Sequence, residues 1–204
     1  MCLTTKDSLM ALIIMVFLSV LLIVRNHQFD RIFGIFFFFI AAIQLIEALH
    51  HSKQLNDSDA GQYIFLTLLS QIVVLALLCY YYYPNKITGV WLAAMVIIFV
   101  MACYSNWYTK FAVITEKHLI WSSSTGSILG VYSYFYLLGL LVPFLILLYL
   151  NHWKNLKLWL VLAALILSFF ITLYVYPNMF FSTMWCYGAI GIIFVMWMVG
   201  AFSE

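Results

Sequence analysis

Hydrophobic runs recur along the whole chain and are separated by polar segments, most of them short. Each run approaches the roughly 20 apolar residues that a helix needs to cross the hydrocarbon core of a bilayer. The pattern predicts an all-α fold, a polytopic bundle of seven transmembrane helices that fills residues 1–204 as a single domain. The predicted spans are residues 8–24, 32–50, 62–82, 88–104, 127–150, 158–176 and 181–202.

The linker at residues 105–126 is much longer than the other connections. Connections longer than about 12–15 residues usually have a function or are disordered. This one contains Trp107, Phe111, Leu119 and Trp121, and so many large apolar residues argue against disorder. We expect the linker to lie on the membrane surface, as a helix or as a hairpin.

The composition supports a membrane protein and excludes a soluble one. Hydrophobic residues make up 67% of the chain and charged residues 8%, whereas soluble domains have roughly 25% charged residues. The lipid bilayer is therefore the expected partner, and a homo-oligomer is compatible with the composition. A net charge of +2 without a basic stripe argues against nucleic acid binding.

The positive residues predict the orientation, because lysine and arginine favour the cytosolic side of a membrane. One side of the predicted bundle carries Arg25, Arg31, Lys86, Lys154 and Lys157, and the other carries Lys6, Lys53, Lys110 and Lys117. The excess on the first side predicts an N-terminus that is outside or lumenal and a C-terminus that is cytosolic.

Glu47 is the only acidic residue that this segmentation places inside a hydrophobic span. A charged carboxylate near the centre of a membrane helix costs ~2.5–3.5 kcal/mol on insertion scales, so such residues usually have a function. On a helix, Gln44, Glu47 and His51 share one face, and His50 lies one position round from it. The alternation of spans brings further polar and aromatic candidates to this end: His118, Trp121, Trp185 and Cys186.

A metal site is one interpretation of this cluster. Glu47 and His50 have the Glu-x-x-His spacing of di-iron helical bundles, but such sites need carboxylates from several helices, which no other span supplies. A single divalent ion remains an alternative, with Glu47, His50 or His51, and His118 or Cys186 as ligands.

The other interpretation of Glu47 is structural. A carboxyl group that is neutral, or hydrogen-bonded to Gln44, His118 or Trp185, would fix the helices together. A third alternative is a binding site or pathway for a small ligand, a proton or an ion.

Three cysteines fall at the same end of the predicted bundle: Cys2, Cys103 and Cys186. If that side is lumenal, Cys2 and Cys186 can form a disulfide, with Cys103 as an alternative partner. Free thiols are the other interpretation, because buried cysteine often serves as a small apolar residue.

An ordered set of short motifs extends over the whole chain: Met1-Cys2, Gln44-x-x-Glu47, His118-Leu119-x-Trp121 and Trp185-Cys186. In these motifs the chain resembles an uncharacterised family of small seven-helix integral membrane proteins from giant DNA viruses and some microbes. Such proteins tend to have a tryptophan at the position of His51 and a polar residue at that of Ile190. The resemblance implies the seven-helix architecture and a viral origin, and it implies no activity.

Two functions from different classes are compatible with the sequence. The first is a bundle with a polar pocket around Glu47 that binds or transports a small ligand or an ion, as a transporter or channel does. The second is a structural protein of a viral or virus-modified membrane. A membrane-embedded, metal-dependent enzyme is third, because one acid and no activated nucleophile are visible. A retinal protein is excluded, because the last lysine, Lys157, precedes span six.

Overall fold

The computed structural model describes the backbone of residues 4–27, 29–108, 111–116, 118–123, 126–175 and 184–201. It describes the side chains of residues 4–27, 29–105, 136, 138–167, 170 and 189–198. Within these ranges the chain forms seven helices and one two-stranded sheet. The helices are α1 (Thr5–Arg25), α2 (Asp30–His51), α3 (Asp57–Tyr82), α4 (Lys86–Tyr108), α5 (Gly126–Leu150), α6 (Leu156–Val175) and α7 (Met184–Ala201). The strands are β1 (Phe111–Glu116) and β2 (His118–Ser123).

The hydrophobic segments predicted from the sequence correspond, in order, to these helices. Four helical segments are long and apolar enough to cross a membrane: α1, α2, α3 and the Lys86–Ser105 part of α4. In the later helices, the segments with described side chains are apolar but shorter: Leu138–Leu150, Leu156–Leu167 and Ala189–Met198. The prediction of a helical protein embedded in a bilayer is therefore confirmed.

Polar residues in the turns start several of the helices. The side chain of Thr4 accepts a hydrogen bond from the backbone N–H of Asp7 at the start of α1. Asn56 accepts one from the N–H of Asp59 at the start of α3, at 2.8 Å. Such caps satisfy backbone N–H groups that have no partner within the first helical turn.

The long linker contains an antiparallel hairpin, so the hairpin alternative is the one that the structure has. Phe111 lies opposite Ser123 and Glu116 opposite His118 in its register. Strand β1 lies against α3 and strand β2 against α5. The linker is also shorter than predicted, because α4 continues as a helix to Tyr108.

Helix α2 is central among the described helices and contacts α1, α3 and α7. Its side chains Phe33, Phe36 and Ile40 are fully buried. The Phe33 ring stacks on that of Phe144 in α5, with the ring centroids 5.0 Å apart. One side of α2 still faces outward, with Phe38, Phe39 and Leu45 exposed, whereas Gln44 and Glu47 lie among its buried residues and are shielded from lipid.

Two glycines allow neighbouring helices to approach closely. A Cβ atom on Gly34 of α2 would lie 2.7 Å from Cγ1 of Ile23 and 2.9 Å from the carbonyl oxygen of Ser19, both in α1. A Cβ atom on Gly139 of α5 would lie 2.6 Å from Cγ2 of Ile72 in α3. Small residues at such crossings are typical of helix packing in membranes.

Candidate functional site

Glu47 lies in the last third of α2 and faces the interior of the bundle. Its side chain is 2% exposed, and Gln44, one turn earlier, is fully buried and interacts with the Glu47 carboxyl group. The neighbouring Ile43 and Ala48 are also buried, so the carboxyl group lies in mainly apolar surroundings on its own helix. Its Oε2 atom has no hydrogen-bond partner among the residues that the structure describes.

His50 does not pair with Glu47, although the two are one turn apart. Its Nε2 atom lies 2.8 Å from Oδ1 of Asp57, the first residue of α3. The His50 side chain is nearly buried, whereas that of Asp57 is largely exposed. The rings of His50 and His51 meet edge to face with their centroids 5.9 Å apart. His50, the histidine nearest to Glu47 in sequence, therefore stabilises the α2–α3 turn.

The remaining candidates at this end have side chains outside the described residues. The backbone places His118 and Trp121 in β2, and Trp185 and Cys186 in the first turn of α7. The metal set of Glu47, His51 and His118 thus stays a prediction. Among the side chains that the structure describes, no three histidine, cysteine or acidic residues come together as metal ligands.

The predicted disulfide between Cys2 and Cys186 also lies outside the described side chains and stays a prediction. Cys103, the alternative partner, is a free thiol that is partly exposed. Cys79 is a free thiol buried in α3.

The opposite end of the bundle contains a buried ion cluster that the sequence analysis missed. The carboxylate of Asp30, at the start of α2, is fully buried. Its Oδ2 atom accepts a hydrogen bond from Nε of Arg25 at 2.6 Å, and its Oδ1 atom accepts one from Nζ of Lys157. Arg25 also donates to the carbonyl oxygens of Trp197, at 2.5 Å, and Met196, at 3.2 Å. The cluster therefore connects α1, α2, α6 and α7.

The charges in this cluster explain its arrangement. Arg25 and Lys157 are two cations and Asp30 is one anion, so these three residues carry a net charge of +1. The carbonyl groups of Met196 and Trp197 lie near the C-terminal end of α7. That end of a helix carries partial negative charge and stabilises a cation beside it.

This cluster adds to what the sequence analysis found. Asp30, just outside the predicted second span, is a further acid shielded by the bundle, and Arg25 and Lys157, which the sequence analysis used to predict the orientation, hold its carboxylate. Asp30 was overlooked because it lies at the edge of a hydrophobic run beside Arg31, where acids are normally solvated. The available signal was that Arg25, Asp30 and Lys157 all fall at the same end when the spans alternate.

A second buried polar contact joins α3 to α5. The hydroxyl of Tyr136 donates to Oε1 of Gln71 at 2.8 Å, and both residues are buried. Ser70 instead donates to the carbonyl oxygen of Thr67 in its own helix, at 2.7 Å. Gln71 therefore links two helices, which is a common role for polar residues in membrane bundles.

No protein-family model, curated protein or solved structure matches this chain. The two ends of the bundle differ in chemistry. At one end, both oxygens of the Asp30 carboxylate accept hydrogen bonds from cationic side chains. At the other end, Glu47 keeps an acceptor oxygen without a donor in the described part of the chain. Such an oxygen can take up a proton or coordinate a cation.

Proposed function

We propose that this chain is a seven-span integral membrane protein that binds a proton or a small cation at Glu47. The observation that carries the proposal is the buried Oε2 atom of Glu47, which has no partner among the described residues. Ionisable residues inside membrane bundles commonly belong to ion pathways and proton relays. Gln44 lies beside the carboxyl group and supplies a further polar side chain.

The contacts made elsewhere support this proposal over a purely structural role for Glu47. Asp30 and the Gln71–Tyr136 pair each make polar contacts with side chains of other helices. His50 bonds to Asp57 instead of Glu47. A buried polar atom without a partner costs about 1–3 kcal/mol, and a bound proton or cation removes that penalty.

Helix lengths support the proposal of seven spans. Helices α5, α6 and α7 contain 25, 20 and 18 residues, and a membrane span needs about 17–25. The proposed orientation, with the N-terminus outside or lumenal, rests on the excess of positive residues at the Arg25 end. The resemblance in the sequence motifs supports a viral or virus-modified membrane.

The test compares the wild type with Glu47→Gln, which keeps the size and removes the charge, and with Asp59→Asn, a control at an exposed acid. Each protein is purified in detergent, and its thermal unfolding is followed during titration with Na⁺, Mg²⁺ or Zn²⁺ at constant ionic strength. Infrared difference spectra recorded across a pH change detect the C=O stretching band of a protonated carboxylic acid.

A cation site predicts that one of these ions raises the unfolding temperature of the wild type and of Asp59→Asn but not that of Glu47→Gln. Ligand binding to the folded state alone adds about 2.7 kcal/mol of stability at one hundred times the dissociation constant. A proton site instead predicts a carboxylic acid band that Glu47→Gln removes. The proposal fails if no ion discriminates between the variants and the band is unchanged.

A second candidate function is that of a structural protein of a viral or virus-modified membrane. The 2% exposure of Glu47 favours it, since a transport pathway would have to open before an ion reached this carboxyl group. The ion cluster around Asp30, which holds four helices together, also favours it. In that case Glu47→Gln would fold normally and show no difference in ion binding, whereas Glu47→Leu would unfold more easily.

A further inference from the structure

A cavity of about 280 Å³ lies at the Arg25 end of the bundle, between the α1–α2 turn and the end of α3. Its described lining residues are Asn26, His27, Phe29, Arg31, Ile32, Tyr82 and Tyr83, which include no carboxylate. The cavity is thus separate from Glu47, which lies near the other end of α2. Its volume is just below the ~300 Å³ at which small-molecule sites begin, so it suits a compact group.

The charge around this cavity is positive. Arg31 is exposed, and no residue in the described part of the chain forms an ion pair or a hydrogen bond with its side chain. The nearest acid in sequence, Asp30, is fully buried and already holds Arg25 and Lys157. Because that cluster has one more cation than anions, it cannot neutralise Arg31.

The other lining residues form an apolar and aromatic wall. Phe29 and Ile32 are buried, and the ring of Phe29 stacks on that of Tyr83 with the centroids 5.7 Å apart. Asn26 and His27 add side chains that can donate hydrogen bonds. The cavity therefore combines one free guanidinium, neutral donors and an apolar wall.

This end of the helices lies where a membrane meets water. Helix α1 ends at Arg25, α2 begins at Asp30 and α3 ends at Tyr82, after long apolar segments. The phosphates of a phospholipid bilayer occupy this level, and basic pockets between membrane helices bind anionic headgroups. Arginine suits a phosphate especially well, since its planar guanidinium can form two parallel hydrogen bonds.

We propose that this cavity binds the phosphate of an anionic phospholipid, with Arg31 as the main ligand and Asn26 and His27 as additional donors. The glycerol and the first part of the acyl chains would then lie against the wall formed by Phe29 and Tyr83. The proposed phosphate site does not depend on any role of Glu47. The proposal for Glu47 and the proposal for the phosphate site can therefore fail independently of each other.

The experiment uses the full chain purified in a neutral detergent. Thermal unfolding is measured during titration with a short-chain phosphatidylglycerol, with phosphatidylcholine of the same chain length, and with inorganic phosphate. The site variant is Arg31→Gln, and the matched control is Lys154→Gln, an exposed cation at the same end that does not line the cavity. Both positions are exposed, so both variants should fold.

We expect phosphatidylglycerol to raise the unfolding temperature of the wild type at lower concentrations than phosphatidylcholine does. Arg31→Gln should weaken this response at least about tenfold in lipid concentration, the effect of losing one charge-assisted hydrogen bond. Lys154→Gln should respond as the wild type does. A different outcome is that inorganic phosphate alone stabilises the wild type, does not stabilise Arg31→Gln, and displaces the lipid. That outcome would confirm an anion site at Arg31 and identify its occupant as free phosphate.

Two results would overturn the proposal. Equal weakening in Arg31→Gln and Lys154→Gln would mean that lipid is attracted only by the overall charge of this end. Equal stabilisation of the wild type by phosphatidylglycerol and phosphatidylcholine would mean that the phosphate charge is not recognised.

Discussion

Lys157 and Asp30 form a buried ion pair although 127 positions of sequence separate them. The pair joins the start of α6 to the start of α2, and Arg25 adds the end of α1 to the same carboxylate. Each of these charges would be costly to bury alone. The Arg25 end of the bundle therefore depends on the cluster as a unit, which can be tested by substitution.

Asp30→Ala should destabilise the protein by about 3–5 kcal/mol, because it leaves the buried Lys157 and the partly buried Arg25 without their counter-ion. The free energy of unfolding can be measured in mixed micelles by titration with a denaturing detergent. Asp59→Ala is the control, since Asp59 is exposed, and should cost about 1 kcal/mol or less. Equal losses in the two variants would contradict the role of Asp30.

Replacing both members of the pair should be milder than removing one. Asp30→Leu combined with Lys157→Leu removes the buried anion together with one of its two cations, and apolar replacement of buried ion pairs is often neutral. The double variant should therefore recover part of the stability lost in Asp30→Leu alone. Additive losses in a double-mutant cycle would show that the two residues are not coupled.

Gly34→Ala should destabilise the bundle by about 1–3 kcal/mol, because the new methyl group would meet Ile23 and the backbone of Ser19. Gly191→Ala is the matched control in another helix, where an added Cβ meets no atom within 4 Å. It should be neutral or stabilising by up to about 1 kcal/mol, since alanine favours helix more than glycine. A neutral Gly34→Ala would mean that α1 and α2 separate at little cost.

Tyr136→Phe should cost about 0.5–2 kcal/mol by removing the hydrogen bond to the buried Gln71. Adding Gln71→Leu should restore part of this loss, because the buried side-chain amide that lost its hydrogen bond is then removed as well. Tyr149→Phe, at an exposed tyrosine of the same helix, is the control and should be close to neutral. If the added leucine deepens the loss, the amide has partners that matter more than Tyr136.

The predicted orientation can be tested with single cysteines in a background where the native cysteines are replaced by alanine. Gln54 lies in the α2–α3 turn and Lys154 in the α5–α6 turn, at opposite ends of the bundle, and both are exposed. A membrane-impermeant thiol reagent applied to intact cells should label Gln54→Cys but not Lys154→Cys. Labelling only Lys154→Cys would reverse the orientation.

The positions of the helices were predictable because runs of apolar residues are a strong signal. The residues at which the helices begin and end were harder to predict. Helix α3 begins at Asp57, while the hydrophobic pattern predicted a start near residue 62. The first turn of α3 contains Asp57 and Asp59, and a hydropathy pattern assigns such charged residues to a linker. They belong to the helix because Asn56 caps it and because acids are favourable in a first turn.

Glu47 was predictable as a buried group, since a lone acid in an apolar run has few other places to go. Its local partners were harder to predict. The helical spacing paired His50 with Glu47, but the tight turn after α2 brings Asp57 to His50 instead. A contact that depends on the path of a turn, or on helices far apart in sequence as with Lys157, leaves little trace in local patterns.

The ion cluster contains residues from both early and late segments of the chain, so its contacts must form in a definite order during synthesis. When α1 and α2 have been synthesised, Asp30 can meet Arg25, but Lys157 and the α7 carbonyl groups are still missing. While only α1 and α2 have been made, Asp30 therefore has one of its two cationic partners. The charges of α1 and α2 therefore have their full set of partners only after the α7 segment has been made.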